Sequence, residues 1–552
     1  MTIQTEVIKS ILGGMGPSVH FTGADSYLDS VGVDPDLPQS DSVGDRLTSG
    51  VWRPSGYAKF SSTNIASNPV AIITNPKNAL IYVVTSNGKL VSYTSSFGSE
   101  TLVGTVTGSN ADGAFYYNNY IYITGTGAGA NDVSRYGPLT GGAALVDNVW
   151  QGATLGSLTA LGTATYPSLR GGGNYPKHWG HVHTNDIAYF CDYDNFSLTA
   201  ANRGHGIINA IHTTFSVTEG TGNNGSDYNV LDLPLGFLPT AIESYGTDLA
   251  ILAVQTNDST LDQGRACLFL WDTFSDSFYQ QVWLPDSMAT ALYNNNGTLF
   301  IWSGAISSGA DISNGYRLSY YAGGQSTAQV YYSNVGAPPC AGAVTAIGNR
   351  LYWGTFHQIP SITPGSPEYF AVVMAYGSKD KNFPSGVHGV IKATATTSSS
   401  DGLVTAICAG QQSSFAYPKL IVGWRGASST FGIDSQSTTY GTSVWRSRMY
   451  SYPYNFIVRR ITIMLGATPA ANMTIQPTIF TNDFSSSVAL TTINSTNTVD
   501  SAGNPVRKVE LYQTGSNEVF GQTNFCLELR WSGTALLPIV GPIEIMVDIL
   551  DD

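Results

Sequence analysis

The sequence predicts an all-β protein, namely a β-propeller of about seven blades with an extended N-terminal arm and a C-terminal β-sandwich. Three observations favour this fold class. The first is a recurring unit of small residues, a Gly/Asn turn and an apolar aromatic strand, most complete at Ala341-Gly-Ala-Val-Thr-Ala-Ile-Gly-Asn-Arg-Leu-Tyr-Trp-Gly354. The second is a composition with 60 Gly, 31 Tyr and only 11% charged residues, which suits turns and hydroxyl-rich strand faces. The third is a change to alternating apolar and polar residues after Trp445.

The recurring unit predicts the blades. Successive copies are 43 to 68 residues apart, which is long enough for a four-stranded sheet but too long for one turn of a solenoid. Small residues suit the innermost strands because these strands crowd around the central channel. The alternative is that Ala-Ile pairs recur by chance before hairpins, and we favour the repeat. Besides the copy above, the copies begin at Ala71, Ala114, Ala241, Ala291 and Ala406, with a degenerate copy at His181-Val182-His183.

The two ends of the chain differ from its middle. Residues 1–50 carry seven acidic and two basic residues around Asp34-Pro-Asp-Leu-Pro38, so we expect an extended arm without a core of its own. Its scattered apolar residues favour a strap across its own propeller or a neighbouring subunit over a free tail. Residues 51–443 are predicted to form the propeller. Residues 444–552 are predicted to form an antiparallel β-sandwich.

Charge and cysteine content exclude several classes of function. The net charge of −13 argues against a nucleic-acid-binding surface, which needs clustered Lys and Arg, although an acidic wall would let a duplex pass without sticking. No apolar run reaches the roughly 18 residues of a membrane span, and no export signal opens the sequence. The five cysteines form no Cys-x-x-Cys pair, which favours free buried thiols over disulfides or zinc binding. We therefore expect a cytoplasmic origin and no cofactor.

The strongest candidates for a metal site are His178, His181 and His183, with Asp186, Cys191 and Asp192 close behind and His205 and His212 further on. Alternate residues of a strand share one face, so His181 and His183 could both face one ion. A polar blade strand beside a wet channel would give the same pattern. We favour that second interpretation and expect no tightly bound metal.

No catalytic constellation is evident in the sequence. A glycosidase needs two carboxylates across a cleft, and Glu243 and Asp248 are the only acidic residues near a predicted inner strand. The Asp-box of sialidases is absent, because Ser400-Asp401-Gly402 is followed by no Trp at the required position. Nucleophile elbows, P-loops and dinucleotide-binding loops are also missing. We therefore predict a protein that is not an enzyme.

Several segments resemble structural proteins of tailed bacteriophages. They are Asp25-Ser-Tyr-Leu-Asp-Ser-Val-Gly-Val-Asp-Pro-Asp36, Ser49-Gly-Val-Trp-Arg-Pro-Ser-Gly-Tyr57, Arg135-Tyr-Gly-Pro138, Glu243-Ser-Tyr-Gly-Thr-Asp-Leu249 and Ala470-Ala-Asn-Met-Thr-Ile475. The resemblance spans nearly the whole chain and includes no catalytic motif. It implies a virion protein of the phage tail that is assembled in the host cytoplasm and is similar to the nozzle or hub β-propeller proteins of short-tailed phages.

The resemblance leaves two hypotheses. A nozzle-like or hub-like structural protein would form a homo-oligomeric ring that continues the channel for DNA ejection and contacts an adaptor or fibre. A tail-tip or fibre protein would instead bind a receptor or glycan on the host surface through an aromatic groove. The excess of acidic residues and the N-terminal arm favour the ring hypothesis.

Overall fold

The computed structural model describes residues 2–8, 14–16, 26–35, 56–60, 63–74, 80–94, 99–108, 110–125, 133–147, 149, 178–194, 205–215, 226–255, 265–304, 315–359, 367–377, 386–397, 402–410, 419–513, 518–533 and 537–550. These residues form β-strands joined by turns, with two short 3-10 turns at Ala341–Ala343 and Ala427–Ser429. Within these ranges no helix is long and apolar enough to cross a membrane. The predicted all-β fold class, a propeller with an arm and a sandwich, is confirmed.

The strands before the first complete blade are short. In chain order they are β1 (Thr2–Ile8), β2 (Gly14–Met15), β3 (Ser26–Tyr27), β4 (Asp29–Val31) and β5 (Gly56–Lys59).

Six blades are four-stranded antiparallel meanders, each with its strands in sequence order. Blade 1 is β6 (Pro69–Thr74), β7 (Leu80–Thr85), β8 (Lys89–Thr94) and β9 (Glu100–Thr105); blade 2 is β10 (Gly113–Tyr117), β11 (Tyr120–Thr124), β12 (Val133–Gly137) and β13 (Ala144–Val146). Blade 3 is β14 (Gly180–Val182), β15 (Ala188–Asp194), β16 (His205–Ile211) and β17 (Ser226–Asp232); blade 4 is β18 (Phe237–Tyr245), β19 (Asp248–Gln255), β20 (Ala266–Trp271) and β21 (Gln280–Trp283). Blade 5 is β22 (Met288–Asn295), β23 (Thr298–Gly304), β24 (Tyr316–Tyr321) and β25 (Ala328–Ser333); blade 6 is β26 (Val344–Ile347), β27 (Arg350–Ile359), β28 (Glu368–Tyr376) and β29 (Val387–Lys392).

The seventh blade closes the ring with a strand from the other end of the propeller. It contains β30 (Leu403–Gly410), β31 (Lys419–Gly426) and β32 (Thr430–Tyr440), and its outermost strand is β5. Asp434 pairs with Lys59 and Ser435 pairs with Ala58 in this antiparallel contact. Because the first and last parts of the propeller share one sheet, the ring is closed at this seam.

Each blade packs on the next through an apolar layer between their faces. Ile72 and Ile81 of blade 1 pack with Ile421 and Ile433 of blade 7, and similar clusters fill the gaps between the other blades. The largest cluster extends from Trp302 of blade 5 and Trp353 of blade 6 into the arm and the sandwich. The apolar strand residues therefore serve mainly as inter-blade core.

The C-terminal strands form two sheets. They are β33 (Ser443–Arg446), β34 (Tyr450–Ser451), β35 (Phe456–Met464), β36 (Met473–Thr481), β37 (Ser486–Ala489), β38 (Lys508–Tyr512), β39 (Val519–Gly521), β40 (Asn524–Gly533) and β41 (Ile543–Ile549). One sheet has the order β1-β41-β35-β38 with β39 beside β35, and the other has the order β37-β36-β40-β33-β4 with β34 beside β40. The arm therefore adds one strand to each sheet.

Candidate functional site

One end of the propeller channel is occupied by Trp179, which directly precedes β14 of blade 3. Its ring packs against the apolar cluster of blades 4 and 5 and also against that of blades 1 and 2. A Cβ added to Gly342, before blade 6, would lie 3.0 Å from Trp179 Cη2 and 2.3 Å from the carbonyl oxygen of Val70 in blade 1. Blades 1, 3 and 6 are not neighbours in a seven-blade ring, so residues from them can meet only in the channel.

Some of the small residues that the sequence repeats lie in the two clusters on which Trp179 packs. Ala241 and Ala341 belong to one of the clusters packed on Trp179, and Ala71 and Ala114 belong to the other. Larger side chains at these buried positions would overpack the clusters. Ala291 and Ala406 lie in other clusters, so the repeated alanines reflect the crowding of inner strands more than any one aromatic ring.

Further along the inner strands lies a polar group that we call the channel cluster: His181, Glu243, Ser244, Tyr293 and Asn294. His181 Nε2 is 3.1 Å from Glu243 Oε1 and 2.9 Å from Ser244 Oγ. Asn294 Nδ2 donates to the Ser244 carbonyl at 2.7 Å. The cluster thus joins the inner strands of blades 3, 4 and 5.

Burial sets the protonation of the central pair. It raises the pKa of Glu243 to about 8, against a small opposing effect of the Ser244 backbone N–H. Burial, followed by the nearby His183, lowers the pKa of His181 to about 4. Burial and then Glu243 raise the pKa of Tyr293. At neutral pH burial therefore favours the uncharged form of both members of the pair.

The three predicted histidines do not converge. β14 ends at Val182, so His183 lies just after the strand that carries His181. His183 Nε2 is 3.0 Å from the Asp248 carbonyl oxygen, and its Nδ1 accepts the Asn185 N–H at 3.2 Å. Both ring nitrogens of His183 therefore have hydrogen-bond partners. The possibility that His181 and His183 face one ion is not supported by these separate partners, and the absence of a tightly bound metal stays a prediction.

His178 lies between two carboxylates. Its Nδ1 is 3.6 Å from Asp112 and its Nε2 is 3.5 Å from Asp192, and the imidazole is fully buried. Burial alone would lower the pKa of His178, but Asp112 and Asp192 together raise it to about 9. The two carboxylates therefore favour the charged imidazolium form of His178.

The other candidate residues also have separate partners. His205 pairs with Asp232 and His212 with Asp227, both at 2.7 Å. Among the residues that the structure describes, no three His, Cys, Asp or Glu side chains are grouped as a metal site requires. All five cysteines are free, and Cys408 alone among them is half-buried. Asp248, the second acid near an inner strand, accepts the Tyr279 hydroxyl at 2.7 Å.

A second set of buried charges lies where the arm meets blade 6 and the sandwich, and we call it the arm junction. The Asp34 carboxylate is held by two nitrogens of Arg350, at 3.0 and 2.8 Å. Tyr27 and His388 lie 2.6 Å apart between the hydroxyl and Nδ1. Burial and then Arg350 lower the pKa of His388 to about 3, so the tyrosine donates and a neutral imidazole accepts.

The arm junction continues into the sandwich through Asp29. This carboxylate is 2.9 Å from His357 of blade 6 and 3.7 Å from Arg446 of β33. Arg446 pairs with Glu528 of β40 at 2.7 Å, and Glu528 also accepts from Arg530 at 3.1 Å. Arg530 then returns to blade 6, where it binds both oxygens of Glu368, at 2.9 and 3.0 Å. One chain of charges therefore connects arm, propeller and sandwich.

Sequence reasoning did not find the arm junction. It noted the acidic residues of the arm but not their partners, because Asp34 and Arg350 are 316 positions apart. The low content of charged residues could have indicated it. In a chain with few Arg residues, an Arg near a predicted strand is a candidate for a buried ion pair with a specific carboxylate.

A scan of protein-family models found no match, and a search of curated proteins found none either. Among solved structures, the chain is similar to an exo-β-1,3-galactanase from Phanerochaete chrysosporium with 12% identity, coverage of 80% of this chain and 96% of that chain, and a TM-score of 0.28.

It is also similar to the N-terminal domain of Nup159, with 9% identity and a TM-score of 0.36. The match covers 73% of this chain and 99% of that domain. A third similar structure is the Neurospora crassa Pan2 WD40 domain, with 8% identity and a TM-score of 0.39. The match covers 69% of this chain and 94% of that domain. At these scores we take no functional argument from them.

Proposed function

We propose that the chain is a non-enzymatic structural protein of a bacteriophage tail, a subunit of a nozzle-like or hub-like ring through which DNA is ejected. The observation that carries this proposal is the arm junction. Buried ion pairs cost desolvation free energy, and in some proteins they specify one arrangement of the parts that they join. Here they join the arm, blade 6 and the sandwich, which suits a structural subunit.

The channel geometry adds a constraint on how such a ring would work. The Trp179 ring lies against Gly342 at one end of the propeller's own channel, so a duplex would pass between subunits and not through a single propeller. The charge of −13 supports a wall that repels phosphates and lets DNA slide without specific binding. The partners would be other copies of the chain and neighbouring tail proteins such as an adaptor or fibre.

The second candidate function is recognition of a host surface receptor or glycan at the tail tip. An open, tyrosine-lined cleft at the edge of the sandwich favours it. The two functions predict different positions in the particle.

Electron microscopy of phage particles labelled with an antibody to this protein separates the candidates. The structural proposal expects label on a ring around the tail axis. Label only at the distal ends of fibres would contradict it.

A further inference from the structure

A cleft of about 540 Å³ opens at the edge of the sandwich, between the arm strand β1 and the segment that leads from β34 to β35. We call it the tyrosine cleft. One wall is made by Thr2, Gln4 and Glu6 of β1, and the other by residues 448–454. Because β1 belongs to one sheet and β34 to the other, the cleft lies between the two sheets of the sandwich.

The floor of the tyrosine cleft is rigid. The Tyr450 and Tyr452 rings stack on Phe525 with centroid distances of 5.0 and 6.0 Å. The Arg448 guanidinium lies over the Tyr450 ring at 4.9 Å. Side chains held in this way lose little conformational freedom when a ligand binds.

An acidic and a basic side chain lie together above this floor. Glu6 Oε1 accepts from Gln4 Nε2 at 2.6 Å and from the Tyr452 hydroxyl at 2.9 Å, and Glu6 Oε2 is 3.8 Å from Arg448 Nη2. A carboxylate offers about four acceptor positions and a guanidinium five N–H groups, so both retain capacity for further hydrogen bonds. Their opposite charges favour a neutral polar ligand over an ion.

The rim supplies an exposed aromatic face. Tyr454 is 51% exposed, and Ser451 and Pro453 beside it are exposed as well. An amphipathic ring that borders a polar cleft can pack on an apolar surface while its hydroxyl stays hydrated. A sugar ring presents such a surface on its C–H face and hydroxyls around its edge.

We infer that the tyrosine cleft binds a neutral saccharide, with Tyr454 packing on a sugar ring and Gln4, Glu6 and Arg448 hydrogen-bonding its hydroxyl groups. The arm strand completes the site, because without β1 the cleft would lose Gln4 and Glu6. The inference is independent of ring assembly, since the cleft lies within one chain. It would give a tail protein of either kind a contact with carbohydrate at the cell surface.

The test uses the full chain and a panel of maltotriose, cellotriose, chitotriose and lactose. Saturation-transfer NMR at about 10 mM saccharide detects even millimolar affinity, and calorimetry measures the dissociation constant of any binder. We expect at least one saccharide to bind and Tyr454→Ala to weaken that binding about tenfold. Glu6→Gln, which keeps the shape of the side chain, should weaken it severalfold.

Tyr512→Ala is the matched control, because Tyr512 is 60% exposed on the same sandwich outside the cleft. It should leave the dissociation constant unchanged, and circular dichroism should show that all variants are folded. The inference is overturned if no saccharide of the panel binds, if the cleft takes up an extended peptide instead, or if Tyr454→Ala and Tyr512→Ala have equal effects. None of these results bears on ring formation, which is measured separately.

Discussion

Arg350 of blade 6 and Asp34 of the arm form a two-point ion pair, with Nη1–Oδ2 at 3.0 Å and Nη2–Oδ1 at 2.8 Å. The arginine side chain is fully buried and the aspartate is 6% exposed. A residue near the start of the chain is thus the counter-ion of a cation in the propeller core. The position of the arm is therefore coupled to the stability of blade 6.

The first prediction concerns this pair. Asp34→Ala should lower the free energy of unfolding by about 3–5 kcal/mol, because it leaves a buried guanidinium without its partner. Urea denaturation monitored by tryptophan fluorescence measures the change. Asp276→Ala, which removes an exposed carboxylate from the blade 4 hairpin, should cost less than about 0.5 kcal/mol.

Replacing both partners shows whether the cost of Asp34→Ala comes from the unpaired Arg350 that it leaves in the interior. The double variant Asp34→Leu, Arg350→Met should be more stable than Asp34→Ala alone, because no unpaired charge then remains in the interior. Equal destabilisation by Asp34→Ala and Asp276→Ala would show that Asp34 does not hold the arm.

The second prediction concerns the closed end of the channel. Trp179→Ala should lower the free energy of unfolding by about 2–4 kcal/mol, because the indole fills space shared by several blades. Trp283→Ala is the control, since that ring lies on an outer strand and is 44% exposed. If both variants lose similar stability, Trp179 does not have the packing role assigned to it.

The third prediction concerns the channel cluster and pH. The pKa of Glu243 is about 8 in the folded protein against 4.5 for an ordinary glutamate. As pH rises from about 4.5 to 8, the unfolded chain releases a proton that the folded protein keeps, so stability is lost over this window. Above pH 8 the loss is complete.

Glu243→Gln removes this titration while it keeps the shape of the side chain. The variant should match the wild type near pH 5 and exceed its stability by roughly 2–4 kcal/mol at pH 8 to 9. Thermal unfolding across this range tests the claim. A stability difference that does not change with pH would contradict the raised pKa of Glu243.

The sequence was sufficient for the parts of the fold that depend on local patterns. Alanines such as Ala71 and Ala241, followed by Gly/Asn turns, mark inner strands because crowding and turn chemistry act over a few residues. The contribution of β5 to blade 7 was not predicted, because a strand of four residues carries little periodicity. Trp179 could not be placed either, since its contacts come from blades that are far apart in sequence.

The candidate site was predicted only in part. His181 does lie on an inner strand beside the channel, as the repeat predicted. Its partner Glu243 was noted as an acid near an inner strand, but the pairing depends on how blades 3 and 4 face each other. The absence of a bound metal stays a prediction, which elemental analysis of the purified protein can test.

The proposed role of the arm in assembly gives a fourth prediction. Deleting residues 1–50 removes Glu6, Asp29 and Asp34 together with both sandwich strands that the arm supplies. We expect the deletion to impair assembly into particles more than it impairs folding of residues 51–443, which circular dichroism monitors. Normal incorporation of the truncated chain would show that the arm is dispensable.

The most direct test of the central claim is the phenotype of phage particles that assemble without this protein. A nozzle-like or hub-like ring predicts incomplete tails that cannot deliver DNA, seen by electron microscopy and by a DNA-ejection assay. Particles with complete tails that eject DNA normally but fail to adsorb to cells would contradict the ring and favour the receptor-binding alternative.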